Sequence, residues 1–247
     1  MTHVEQPRKR YPFRAFLYFL RDVLVILAIA IVVSFVVKTF LVRSFFIPSA
    51  SMEQTLQIDD RVIVNELVPK LVPLDHGDIV VFRDPGGWLL ALPAATTPPV
   101  QAGMEWVLSL FGLASPDSND HLIKRVIGLP GDTVSCCSAD GKIIVNGQPV
   151  TEPYLNLPPG EKRASGINFN VTVPAGSIFV MGDNRYNSKD SRYNTDKPGG
   201  GFVSVNDVVG RAFVVSWPMS HWAWLPNYSS NFASQQTTGS TTPSPTK

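Results

Sequence analysis

Only two of the 247 residues are cysteine and four are histidine, and the formal net charge is +1. Each shortage closes off a class of protein. Cys136 and Cys137 are adjacent, so they cannot staple distant loops, and no C-x-x-C or histidine spacing outlines a zinc site. They read as a turn with free thiols, a vicinal disulfide being the other option, and they carry no catalytic claim. A near-neutral balance supplies no field to gather nucleic acid. The histidines make poor candidate bases: His76, His121 and His221 suit surface or turn positions, and no Asp-His-Ser arrangement can be drawn. His121 precedes Lys124 by three residues, which on a strand puts it about 10 Å away and on the opposite face. Asp78 and Asp183 sit beside glycine, where structural bonding is the default. Helical periodicity is also missing between Lys124 and Trp217.

What is present begins with an apolar segment. Residues 1–20 form a basic arm carrying Arg8, Lys9, Arg10 and Arg14. Residues 21–42 then supply the roughly 20 apolar positions a membrane-spanning helix needs, if Lys38 snorkels outward. The basic arm places the N-terminus in the cytoplasm and the remainder outside the cell membrane. A cleaved secretory signal ending in Ser49-Ala50-Ser51 is the rival. Against it stand Lys38, Arg43 and the bulky Phe45-Phe46-Ile47, too long and too apolar for a cleavage region.

A hydrophobic content of 44% leaves enough for one folded domain beyond that segment. Residues 43–228 read as an antiparallel β domain. RVIVN (Arg61 to Asn65) and DIVVF (Asp78 to Phe82) are β-branched runs. Asn146-Gly147 within KIIVNGQPV is a hairpin signal, and 168–174, 177–181 and 208–215 supply further strands. Residues 88–119 look like an insertion whose Trp, Leu and Phe suit either the membrane interface or packing on the domain. Residues 229–247 are polar and Pro-containing, a disordered tail. The fold class is therefore mainly β behind one N-terminal transmembrane helix.

Three stretches carry chemistry. In FFIPSASMEQTL (Phe45 to Leu56), Pro48 presets a bend that exposes Ser49 and Ser51. A serine there can attack a substrate only with help from a base; otherwise the stretch is a linker. In HLIKRVIGLPGD (His121 to Asp132), Leu122, Lys124 and Val126 alternate with Ile123, Arg125 and Ile127. A half-buried strand then forces one of the adjacent cations toward the apolar side. Arginine keeps its proton, whereas a desolvated lysine can lose it and become a base. The commoner fate is a lysine snorkelling to water. In FVMGDNRYNSKDSR (Phe179 to Arg192), short polar side chains suit a self-bonded loop. Arg185, Lys189 and Arg192 interrupt Asp183 and Asp190, which argues against a cation cage.

PSASM, KRVIGLPGD and GDNRYNSKDSR, in this order behind an apolar segment, resemble bacterial type I signal peptidase from Phe45 to about Trp217, apart from the insertion. The resemblance implies a membrane-anchored endopeptidase that removes signal peptides from secreted preproteins, with no metal or cofactor. It implies a Ser51–Lys124 dyad and an oxyanion hole from Ser49 and the Ser51 N–H. It further implies Ser188 orienting the lysine, an Asp190–Arg192 ion pair in support, and Phe45, Ile47, Leu56 and Ile123 lining pockets for small side chains. Implied partners are secreted preproteins, membrane lipid and the export machinery. Tyr186 stands where that family commonly has aspartate, which should shift local loop bonding and leave the dyad untouched. Two rivals are a catalytically silent anchored β protein that binds peptides or the export machinery, and a soluble Ser-Lys protease of the self-cleaving repressor type.

Overall fold

A computed structural model describes residues 12–89 and 120–232. The chain divides into two compact units, the first ending at Leu41 and the second beginning at Val42. The first holds one helix, α1 (Pro12–Phe40), opened by a proline whose missing N–H costs nothing at that position. Its stretch Phe16–Ser34, 19 residues with a mean hydropathy of 2.5, has none of its window buried. At 1.5 Å per residue it is about 28 Å long, close to the ~30 Å hydrocarbon thickness of a bilayer. The helix starts before residue 21, so part of the stretch read as a basic arm is helical.

The second unit is mainly β, and its named strands all pair antiparallel. The larger sheet has the order β1 (Val42–Phe46), β2 (Arg61–Asn65), β11 (Val208–Trp217), β3 (Ile79–Arg83), β4 (His121–Gly128), β9 (Ser177–Met181), β10 (Val203–Ser204), with β12 (Ala223–Trp224) also on β11. The smaller sheet runs β7 (Gln148–Pro149), β6 (Ile143–Val145), β5 (Thr133–Cys136), β8 (Phe169–Thr172). Asn146 and Gly147 join β6 to β7 at φ 50° and 83°, the left-handed pair that matches strand twist.

The chain passes from one sheet to the other directly after β4. A methyl group on Gly128 would lie 2.6 Å from Val134 Cγ2 and 2.9 Å from Val173 Cγ2, so only glycine lets the sheets close. Asp132 holds the corner: its carboxylate accepts the Leu129 N–H at 2.7 Å and the Asn146 amide at 2.8 Å, and meets His76 at 2.7 Å. His221 is likewise bonded to an aspartate, Asp60, at 2.9 Å. Asp78 bonds the Asp75 N–H, Asn227 and Arg211.

Two boundaries and one cysteine pair differ from the sequence reading. Trp88, taken as the start of the insertion, is 4% exposed and packs edge-on against Phe82. The Asp84 carboxylate binds the N–H groups of Gly86, Gly87, Trp88 and Leu89 there; residues 90–119 lie outside the described set. The folded domain also runs past 228 to Phe232, 1% exposed and stacked on His76, and the remaining tail, 233–247, lies outside the described residues. Cys136 and Cys137 are bonded to each other as a vicinal disulfide, correcting the expectation of free thiols.

Candidate active site

Ser51 sits on a short turn pinned from both ends. Before it, Ile47 exchanges backbone hydrogen bonds with the 59–60 turn, its N–H donating to Asp60 at 2.9 Å and its carbonyl accepting from Asp59 at 3.0 Å. After it, Met52 and Leu56 are 0% exposed in a core cluster with Phe45, Ile47, Val62, Val64 and Ile123. Each such burial stabilises by roughly 1.5–3 kcal/mol, so the turn is held by the alternation of apolar residues in its own sequence. Ser49 occupies the cap position of this 3-10 turn, yet its side chain caps nothing. Its Oγ lies instead 3.4 Å from Ser51 Oγ.

Lys124 arrives from β4, 73 residues away in sequence, and its Nζ stands 2.6 Å from Ser51 Oγ. The amine also bonds the Ile123 carbonyl at 2.9 Å and, among the described residues, forms no ion pair. Burial of a charge without a carboxylate in contact favours the neutral amine. That desolvation lowers the Lys124 pKa to about 8, against the upward pull of Asp190 and Asp183.

The neighbouring cation is a correction to the half-buried strand read from the alternation. Both Lys124 and Arg125 are buried, at 4% and 0% exposure, because β4 runs between β3 and β9 and both its faces are covered. The two solve burial differently. Arg125 makes a fork-to-fork pair with Asp183 at 2.8 and 2.7 Å and lies 3.7 Å over the Tyr154 ring. Lys124 has only a hydroxyl and a carbonyl.

The polar loop after β9 closes the site. Gly182 is where its parts converge: a methyl group there would sit 2.3 Å from Ser188 Oγ and 2.4 Å from the Ser51 carbonyl oxygen. That carbonyl accepts the Asn184 N–H at 3.1 Å. Asp190 takes the Gly182 N–H at 3.0 Å and pairs bidentately with Arg192 at 2.8 and 2.7 Å. Burial pushes the Asp190 carboxyl upward, but the Arg192 bonds and charge, with the Gly182 N–H, hold it below the usual carboxylate range. Among the described residues, Ser188 Oγ is enclosed without a hydrogen-bond partner and makes no bond to Lys124. Tyr186 donates to the Arg163 carbonyl at 3.3 Å and, among the described residues, makes no bond to Ser51 or Lys124.

Of the four residues named for a substrate pocket, Phe45, Ile47 and Ile123 line a cavity of about 100 Å³ together with Ser49, Lys124 and His121. Leu56 shares their core cluster but does not line the cavity. His121 packs its ring 5.3 Å from that of Phe45. Among the described residues, His76 and His221 make no bond to either dyad residue, and no group of three or more His, Cys, Asp or Glu side chains is placed to hold a metal ion.

Sequence reasoning missed the buried supports: Arg125 on Asp183, Arg185 on Glu152, and Thr55, whose hydroxyl donates to Asp183 at 2.6 Å. The one local signal was the even mixing of arginines with the loop's aspartates. Glu152 is distant in sequence and gave none.

Comparison with known proteins identifies the family. Residues 20–217 match the family model described as signal peptidase, peptidase S26. The signal peptidase I of Mycobacterium tuberculosis is 40% identical over 222 residues, covering 82% of this chain and 74% of its own. That of Leptolyngbya laminosa is 34% identical over 194 residues, covering 78% of each. A crystal structure of a signal peptidase I from Enterococcus faecalis aligns over 56% of this chain and 95% of its own, with 28% identity and a TM-score of 0.35. With the match spanning most of the chain and both sheets, the protein belongs to the signal peptidase family of peptidases, peptidase S26.

Proposed function

We propose that this chain is a membrane-anchored serine endopeptidase that removes signal peptides from secreted preproteins through an acyl-enzyme. The observation that carries the reading is the 2.6 Å approach of Lys124 Nζ to Ser51 Oγ inside a buried, carboxylate-free contact. Neutral Lys124 takes the Ser51 proton as Oγ attacks the scissile carbonyl. The resulting ammonium returns that proton to the departing amine as the C–N bond breaks. Lys124 then deprotonates a water that hydrolyses the ester. The Ile123 carbonyl occupies one amine N–H and so turns the lone pair toward Ser51. Ser49 Oγ and the Ser51 N–H bind the oxyanion, and the Asp190–Arg192 pair keeps the loop in place beside the lysine. The 100 Å³ cavity admits a side chain no larger than a few carbons before the cut, a steric form of specificity. Helix α1 holds the domain on the outer side of the membrane, with its N-terminus cytoplasmic, and the export machinery delivers substrates to that outer side.

Detergent-solubilised protein mixed with a preprotein whose signal ends in Ala-x-Ala tests this by intact mass. A single cut after the final Ala is expected. Binding without cleavage would move a silent peptide-binding protein to the front.

Two predictions arise here. A lysine with pKa about 8 is about one-tenth neutral at pH 7, roughly 300-fold more than at the ordinary value of ~10.5. kcat/KM should therefore climb about tenfold per pH unit from pH 5.5 to 7.5 and level off above pH 8. An optimum below pH 6 would contradict a neutral-lysine base. Second, Ser49→Ala should lower kcat by on the order of 10²-fold with KM nearly unchanged, as loss of one oxyanion donor does elsewhere. A loss confined to KM would assign Ser49 to substrate binding instead.

A further inference from the structure

A second hollow, sharing no lining residue with the apolar cavity, opens on the chain just after the nucleophile. Its volume is about 430 Å³ and Glu53, Gln54, Gln57, Ile58 and Asn156 line it. One residue ties it to the site: Asn184, whose backbone N–H donates to the Ser51 carbonyl at 3.1 Å and whose side-chain amide donates to Glu53 Oε2 at 3.1 Å. Asn156 is bridged to Asn184 in turn. The two hollows therefore flank Ser51 along the chain. The apolar one takes residues up to Ser49, and the polar one takes residues from Glu53 onward.

We propose that the polar hollow receives the first residues after the cut, and that Glu53 sets a charge preference there, favouring basic and disfavouring acidic side chains. This rests on the cleavage reading given above. A peptide lying extended across Ser51 advances about 3.3 Å per residue. With the residue before the cut in the apolar cavity, we place the next one or two over the polar hollow, which Asn184 links to the Ser51 carbonyl. Among the described residues, Glu53 is the only charged one lining it, and it is part-exposed. The amides of Gln54, Gln57 and Asn156 donate and accept without regard to charge sign, so the sign of the preference belongs to Glu53.

The test uses full-length protein and a peptide series identical up to the cut, with Lys, Ser or Glu at the first or second position after it. Wild type is expected to favour Lys over Glu by about fivefold in kcat/KM, the scale of one part-exposed charge. Raising the salt to about 1 M should reduce that ratio toward one. Glu53→Gln should bring the ratio to about one at low salt, and Glu53→Lys should invert it. Because each ratio is taken within one variant, a general loss from disturbing Asn184 cancels. Cleavage with no wild-type preference, or with a ratio that Glu53→Gln leaves unchanged, overturns this inference alone. No cleavage of any peptide by wild type overturns it together with the reading it rests on.

Discussion

Ser51→Ala, Lys124→Met and Lys124→Arg are each expected to lose cleavage by on the order of 10⁴–10⁶-fold, while the folded domain survives. Ser51 Oγ and Lys124 Nζ lie 2.6 Å apart; if they work as one unit, as proposed, the Ser51→Ala/Lys124→Met double variant should be no worse than either single one. Lys124→Arg is the informative member, because arginine preserves the charge and cannot lose its proton. Activity retained in that variant would remove the general-base role. Thermal melting separates chemistry from folding. Lys124→Met deletes a buried ammonium that has no carboxylate in contact, so its Tm at pH 6 should equal or exceed that of wild type. The sign follows from linkage. A lysine whose folded pKa is lowered to about 8 binds fewer protons folded than unfolded between about pH 8 and 10.5. It therefore destabilises the fold below that window, and the penalty fades as pH rises through it. The Lys124→Met advantage should vanish near pH 10.5.

The largest stability effects are expected one residue further along β4. Arg125→Met leaves the Asp183 carboxylate buried with only Thr55 for support, and Asp183→Leu strands a guanidinium that is 0% exposed. Removing one member of a buried pair costs about 3–5 kcal/mol, whereas replacing both by apolar side chains is often neutral. Each single variant should therefore lower Tm by about 6–20 °C, and Arg125→Met/Asp183→Leu should recover most of that loss. Asp183 neighbours the Ser51-binding Asn184, and its carbonyl accepts the Asn156 N–H at 3.0 Å, so both single variants should also lose activity. Additive losses in the double variant would show that the pair is not coupled and that Arg125 acts through Tyr154 and the Gly77 carbonyl instead.

These two neighbours show where reading the chain stops. Alternation along HLIKRVIG assigned Lys124 and Arg125 to opposite faces and predicted water on one of them. Both are buried instead, because β4 is flanked by β3 and β9 and covered on both sides. Local pattern reports the period of a strand, not how many layers pack on it. The same limit explains Leu56, nominated for a pocket by its place in the motif, yet absorbed into the core cluster. It also explains Phe232, a lone apolar residue in a polar tail that packs on His76.

What the sequence determined by itself is what acts over a few residues. Apolar composition sets the length of α1, Asn146-Gly147 the hairpin, and Pro48 with Met52 and Leu56 the presentation of Ser51. Motif order was enough to nominate Ser51, Lys124 and Asp190–Arg192. Only the tertiary structure decided that Lys124 meets Ser51 across 73 residues, that burial pushes its pKa down to about 8, and that Asp183 and Glu152 neutralise the buried Arg125 and Arg185. The reason is physical: proton affinity depends on the solvent excluded around a group, and that exclusion exists only once distant strands have closed over it.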